Sequence, residues 1–406
     1  MSPQLGVGAK AVTTAPPGQP SASRIVLVAS QDDVMKALAN ARPGDVITLL
    51  PGTYRFNSRS LDVRQAGTKD KPIMVRAERL DTVFIELNTS EGFAVSAPYW
   101  TFENLNIRGV CKQHTYCEHA FHVVGNGSYF TARNNRITDF NAHFKINGVG
   151  MDFPDHGLIV GNTIKNESAR QTGNAVTPID LVAASHWRIR NNVISDFVKG
   201  GGDGISYGAF AKGAGQDNRF EQNVVLCEDR LRGAPGQRVG LSLGGGGTGK
   251  PFCRDKQCIT EQDNSVIQSN LIAFCSDDGI YINRSATSSI LHNTIIDTGG
   301  ISVRFAESSA DVTGNLVDGV LRTRDGGLMR MHENHETSIA RLYLGLHPVR
   351  DLFVDAKGLY LKWATEPPRR SHADAVPPDL CGRPRGTSPA YGAFEDFSAC
   401  IEMPRL

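Results

Sequence analysis

One short triplet, Asn followed by any residue and then Ile or Val, returns along most of this chain and limits what it can fold into. It reads Asn135-Arg136-Ile137, Asn162-Thr163-Ile164, Asn192-Val193-Ile194, Asn223-Val224-Val225, Asn270-Leu271-Ile272, Asn293-Thr294-Ile295 and Asn315-Leu316-Val317. Three residues before each Asn stands an apolar residue: Ala132, Ile159, Ile189, Phe220, Ile267, Ile290 and Val312. The intervals are 27, 30, 31, 47, 23 and 22 residues. A repeat of this length with β-branched alternation and no helical period predicts the coils of a parallel β-solenoid. One coil cannot bury its apolar face alone, but coils stacked at about 4.8 Å share a continuous interior. An Asn held at one inward bend can hydrogen-bond the rungs above and below, pairing backbone groups that the bend would otherwise bury unpaired. Leucine-rich repeats also use Asn, but their Leu-x-x-Leu-x-Leu frame is absent.

A second strand set alternates with the triplets: Phe121/Val123, Phe144/Ile146, Ile179/Leu181, Ile205/Tyr207, Leu241/Leu243, Ile280/Ile282 and Ile301/Val303. If these residues point inward, the residues between them form an outward column: His122, Lys145, Asp180, Ser206, Ser242, Tyr281 and Ser302. The outward column two residues later contains Asn147, Gly208, Gly244, Asn283 and Arg304, and the one two residues earlier contains His143. Insertions at 147–156, 165–177, 208–217, 227–238 and 244–263 fall around this face and predict a groove walled by loops. Upstream, Gln31 to Ala41 reads as a short amphipathic helix with Val34, Met35 and Leu38 on one face, placed to cap the open end of the coil. The predicted fold is therefore all-β, a right-handed parallel β-helix with an N-terminal capping helix. Residues 1–24 read as a flexible segment, 25–350 as the β-helix with its cap, and 351–406 as an irregular segment packed on it.

Charge excludes some partners. With 43 basic and 42 acidic residues the chain lacks the basic excess of a phosphate-driven nucleic-acid binder or a polybasic membrane binder. No apolar run reaches the roughly 20 residues of a spanning helix, and a monomer is expected. The eight Cys fall into pairs: Cys111 with Cys117, Cys253 with Cys258, Cys381 with Cys400, and Cys227 left for Cys275. A zinc site would need a second Cys/His pair at ligand spacing beside Cys253 and Cys258, and none is there. Four disulfides are expected, hence a secreted or periplasmic protein.

Several stretches carry a family resemblance. Pro43-Gly44-Asp45-Val46-Ile47-Thr48-Leu49, Pro51-Gly52-Thr53-Tyr54, Lys71-Pro72-Ile73 and Trp100-Thr101-Phe102-Glu103-Asn104-Leu105 are similar to the opening of secreted right-handed β-helix proteins. The pattern resembles the chondroitinase B-like and alginate lyase family, polysaccharide lyase family six, over roughly residues 26–400. Tyr391-Gly392-Ala393-Phe394-Glu395 resembles the closing signature of exported β-helix proteins. The resemblance implies β-elimination on a uronate-containing polysaccharide, with calcium as a possible cofactor. It also implies a catalytic Lys after an acidic-x-x-Ser-x stretch and an Arg one coil later. Aligned on Asp203-Gly204-Ile205-Ser206-Tyr207-Gly208, the Lys is replaced by Gly208, and the Arg by Gly244. Of the family's calcium-binding acids only Asp203 falls in a matching place.

A uronate lyase needs a base for the proton next to the carboxylate and a cation to neutralise that carboxylate. Neighbouring rungs offer Lys145 or Lys212 as base or clamp, with Lys212 expected in the loop after Ser206. They also offer His122 or His143 as proton carrier, Asp180 to orient them, and Arg238 before the next rung. Ser206, Ser242, Tyr281, Asn283 and Arg304 are the expected sugar-binding residues. The competing reading of Lys145 and Asp180 is an ordinary surface ion pair contributing about 0–1 kcal/mol. Two other enzyme classes share the scaffold, C5-epimerisation and glycan hydrolysis, the latter requiring paired carboxylates for which only Asp180 and Asp203 are available. A non-catalytic glycan-binding or exopolysaccharide-assembly protein is the remaining alternative. Gly244 to Gly247 lacks the Lys-Ser/Thr of a phosphate loop, and its glycines instead allow a ligand or the 253–258 loop to approach closely. Counting back from Asn162 puts His156 at the same bend as His186, Asp217 and Asn264, which favours a turn role.

Overall fold

A computed structural model describes residues 23–57, 60–245, 247–373 and 375–401. Residues 1–22, most of the segment expected to be flexible, lie outside the described residues. The rest forms the right-handed parallel β-helix that the repeat predicts. Each coil contributes one strand to each of three long sheets, of ten, twelve and eleven strands. In one coil the chain runs from His119–Val124 in the ten-stranded front sheet to Thr131–Arg133 in the twelve-stranded sheet. It turns at Asn134 and Asn135, passes through Arg136–Thr138 in the eleven-stranded sheet, and returns to the front at Ala142–Asn147.

The turn after the twelve-stranded sheet explains the triplet. Asn162 Oδ1 accepts from both the backbone N–H and the side-chain Nδ2 of Asn135, each at 3.0 Å. Asn192, Asn223, Asn270, Asn293 and Asn315 repeat this arrangement rung by rung. Asn334 extends the ladder to a coil whose sequence, Asn334-His335-Glu336, no longer fits the triplet. From Asn135 to Asn315 the Asn side chains are buried, and their amides supply the partners that the buried corner needs.

Inside the coil, Phe93, Phe121 and Phe144 stack at 5.3 and 5.2 Å, and Ile179, Leu181, Leu241, Leu243, Ile280 and Ile282 continue their columns in the core. The capping helix spans Gln31–Ala39; Ser30 Oγ accepts from the Asp33 N–H at its start, and Val34 and Leu38 close the end of the core. Tyr99, Tyr129, His156 and His186 occupy one bend with φ near +60° and stack face to face at 4.5, 4.9 and 4.6 Å. Asp217 and Asn264 continue the bend with positive φ, in keeping with the turn role expected for His156. Four disulfides join Cys111–Cys117, Cys227–Cys275, Cys253–Cys258 and Cys381–Cys400. After the last coil, Val349, Phe353, Leu361, Phe394 and Phe397 cover outward apolar residues of the eleven-stranded sheet, including Leu226, Leu271, Ile296 and Leu316.

One register differs from the sequence reading. Ile179 and Leu181 pair with Ala209 and Ala211, and not with Ile205 and Tyr207. The strand Ile205–Lys212 is eight residues long and passes Gly208, where a Cβ would lie 2.7 Å from the Gly240 carbonyl oxygen and 2.9 Å from Val225 in the core. The outward column is therefore His122, Lys145, Asp180, Phe210, Ser242, Tyr281 and Ser302.

Candidate functional site

The shifted register relocates a lysine. Lys212 pairs with Val182, which pairs with Asn147, so Lys212 ends a front-sheet strand and is not part of a loop. By this register Lys212, and not Gly208, stands in the outward column two residues after Phe210. Gly244 follows Leu243 on the next rung, so the cation expected there is still replaced by glycine. Gly245 then lies so close that a Cβ would meet Lys212 Cδ at 2.7 Å.

Lys145, Asn147, Val182 and Lys212 floor a cleft of about 630 Å³. One wall is the 148–153 loop and the other is the 247–256 segment of the long insertion. Arg254 ties the walls together, placing two guanidinium nitrogens 2.8 Å from the two Asp155 oxygens and lying 4.4 Å over the Phe153 ring. At the root of the insertion, the Glu261 carboxylate accepts from the N–H groups of Gly245, Gly247 and Thr248 and from the Thr248 hydroxyl. Gly245, Gly247 and Thr248 thus wrap the protein's own carboxylate. Among the described residues lining the cleft, Lys145, Lys212 and Lys256 are cationic and none is acidic, while Phe252 at the rim is 71 % exposed. Such a lining favours an anionic ligand that also has an apolar face.

The two floor lysines differ. Lys145 Nζ is 2.7 Å from Asp180 Oδ2, and the carboxylate is largely buried. Lys212 has a cation–π contact, with Nζ 4.3 Å from the Phe210 ring centroid, but neither a hydrogen bond nor an ion pair among the described residues. Burial pushes its ammonium below the ordinary lysine value; Asp180 opposes that shift and Lys145 adds to it. On the preceding rung, His122 Nδ1 is 2.5 Å from Glu91 Oε2 and Nε2 is 2.8 Å from Asn147 Oδ1. His119 stands beside it, with ring centroids 5.1 Å apart.

Several expected site residues are engaged elsewhere. His143 is fully buried, with Nε2 3.0 Å from the Lys165 carbonyl oxygen, and burial lowers its pKa to about 3, so it cannot carry protons for a ligand in the cleft. Arg238 is buried beneath the 228–236 insertion, where it pairs with Glu228 and donates to the carbonyls of Ala234 and Pro235. Ser206 pairs in register with Arg238 and is covered with it. Ser242 donates to the carbonyls of Gly244 and Tyr281 and is inaccessible. Tyr281 and Asn283 lie further along the sheet and are mostly buried; Arg304 beside them pairs with Asp325. Asp203 is paired with Lys199 at 2.6 Å, and two strands, Arg188–Arg190 and Val193–Ser195, separate it in sequence from Asp180. Glu91, His119, Arg254 and Lys256 were not singled out from the sequence. Extending the front register one rung back, to Phe93 and Val95, finds Glu91, which pairs with His119 at the start of the Phe121/Val123 strand.

Comparison with known proteins agrees with this architecture. The family described as "Pel9A-like, right handed beta helix region" matches residues 14–298. The crystal structure of pectate lyase Pel9A superposes with a TM-score of 0.59 at 14 % identity, covering 93 % of this chain and 97 % of that one. A mannuronic acid specific polysaccharide family 6 lyase from human gut microbiota gives 0.49 at 17 % identity, covering 80 % of this chain and 70 % of that one. An alginate lyase from Paenibacillus sp. str. FPU-7 gives 0.46 at 14 %, covering 78 % and 100 %. Among curated proteins none matches in sequence.

Proposed function

Because the chain belongs to the Pel9A-like right-handed β-helix family, we propose that it is a polysaccharide lyase that cleaves an acidic, uronate-containing polysaccharide by β-elimination in the front-sheet cleft. The observation that carries this reading is the unequal pair of lysines on the cleft floor. A base for the carbon next to a carboxylate must be able to lose its proton near working pH, and a half-buried amine with no ion pair among the described residues meets that need. Lys212 takes the proton; the adjacent C–O bond breaks, its oxygen takes up a proton from solvent, and an unsaturated uronate is left. Lys145, two rungs away or about 10 Å along the sheet, holds the substrate carboxylate, with Asp180 fixing the ammonium in place. This charge neutralisation lowers the energy of the carbanion-like state. The His122 ring is occupied by Glu91 and Asn147 and takes no part in this step.

Hydrolysis fits less well, since Asp203 is tied to Lys199 outside the cleft and leaves Asp180 without a second carboxylate. A non-catalytic glycan-binding role draws support from Gly244, which leaves the next rung without a cation. The test is the rise in ultraviolet absorbance produced by unsaturated uronates on incubation with pectate, alginate and chondroitin. Absorbance should rise on one of them and be lost in Lys212→Ala. Glycan binding with no product would establish the non-catalytic role. Four disulfides fit export to the periplasm or beyond. Among the described residues no helix is long and apolar enough to cross a membrane.

A further inference from the structure

Glu91, His119 and His122 meet on the two front-sheet rungs before Lys145, and the lyase reading uses none of them. Glu91 pairs with His119 in register, and His122 pairs with Lys145 on the next strand. One ligand atom from each of the three lies within 4.8 Å of the other two. Their hydrogen bonding is incomplete. Asn147 Nδ2 donates to the Gly148 carbonyl, which turns Oδ1 toward His122 and makes it the acceptor of the Nε2–H. In a neutral ring this leaves the Nδ1 lone pair facing a Glu91 oxygen at 2.5 Å, two acceptors with only a proton or a cation to reconcile them. His119 Nδ1 is buried and has no hydrogen-bond partner.

We propose that Glu91, His119 and His122 form a binding site for a divalent first-row transition ion of the zinc type. Two imidazoles and one carboxylate are the donor set such ions prefer, whereas calcium takes oxygen ligands. Asn147 acts from outside the ligand set, holding the His122 tautomer with its second nitrogen bonded, as imidazole metal ligands require. The Glu91 and His122 side chains are 37 % and 23 % exposed, so coordination positions remain open toward solvent on the front face. The site does not depend on the chain being a lyase.

The experiment is calorimetric titration of the full chain, stripped with chelator, with zinc chloride and separately with calcium chloride. Zinc should bind saturably at one equivalent, and calcium should not compete. Glu91→Gln and His119→Gln should each weaken zinc at least about 100-fold, and Asn147→Ala about 10- to 100-fold. Because these variants could disturb the rung, the wild-type chain supplies a second readout. Zinc should protect His122 from acylation by diethyl pyrocarbonate, read by peptide mass spectrometry, while His156 and His186 remain reactive. Zinc binding of unchanged affinity in both ligand variants, absence of saturable binding, or equal protection of all three histidines would overturn the proposal.

Discussion

The Asn ladder and the front face are columns of the same coils, yet the ladder repeats one side chain rung after rung while the front face changes chemistry at each step. Along the ladder every amide both donates and accepts, and the side chains are buried. Along the front, histidine gives way to lysine, aspartate, phenylalanine, serine and tyrosine, and polar atoms such as His119 Nδ1, Asp180 Oδ1, Asn283 Oδ1 and Ser302 Oγ lack partners. A column that stabilises can be copied, because each coil presents the same buried corner. A column that handles a ligand cannot, because its rungs face different parts of the ligand. Unmade hydrogen bonds on the front cost stability, a cost that the proposed ligand role would account for.

Substitutions should separate the two columns. Lys212→Ala should reduce β-elimination by about 10²- to 10⁴-fold, the usual contribution of a general base, with little change in the urea midpoint. Lys212→Arg should be as inactive, because a guanidinium cannot act as the base near neutral pH. In the wild type, kcat/KM should rise with pH until the Lys212 amine is deprotonated, with its midpoint below that of an ordinary lysine because burial depresses the pKa. An acidic optimum would remove Lys212 from the base role. Asn192→Ala should do the opposite. It strips acceptors from the Asn162 N–H and Nδ2 groups and leaves Asn223 Oδ1 without one donor. With orphaned buried groups costing about 1–3 kcal/mol each, unfolding in urea should shift by about 3 kcal/mol. The folded fraction should keep its rate.

Smaller effects are expected from the walls. Arg254 is the bidentate link between the 247–256 segment and Asp155, so Arg254→Ala should raise KM about tenfold, corresponding to about 1.4 kcal/mol, with a smaller change in kcat. Equal losses in kcat and kcat/KM would mean that the insertion acts on the transition state and not on substrate capture.

How far the two columns could be read from sequence follows from the same contrast. The ladder was legible because repetition is itself the signal, and Asn334 escaped only because Glu336 breaks the triplet. On the front face the period-2 pattern of Ile205/Tyr207 is as good as that of Ala209/Ala211, and the close packing at Gly208 that accompanies the observed register is a tertiary feature. That four-residue error placed Lys212 in a loop and Ser206 in the groove. Arg238, Ser206 and Ser242 were misread for another reason. Strand alternation tells which face a side chain leaves from, but not whether an insertion folds back over it, as 228–236 and 244–263 do. Glu91 comes from the rung before Phe121/Val123, and His119 stands at the start of that strand, outside the strict alternation that marks His122 as outward.

The finest test lies where the Gly-rich insertion touches the front face. Gly245 is not in a positive-φ conformation, so alanine carries no backbone penalty there, but its Cβ would stand 2.7 Å from Lys212 Cδ, 3.7 Å from Cε and 3.6 Å from Nζ. The lysine chain is flexible and can yield by a few tenths of an ångström, so Gly245→Ala should change stability by no more than about 0.5 kcal/mol. Activity is more sensitive to that displacement, since misplacing a reacting group by about 1 Å can cost 10²-fold. A three- to tenfold fall in kcat at an unchanged urea midpoint is the expected result. An unchanged kcat would show that the position of the Lys212 amine does not govern the rate, and would leave Lys145 as the residue to examine on the cleft floor.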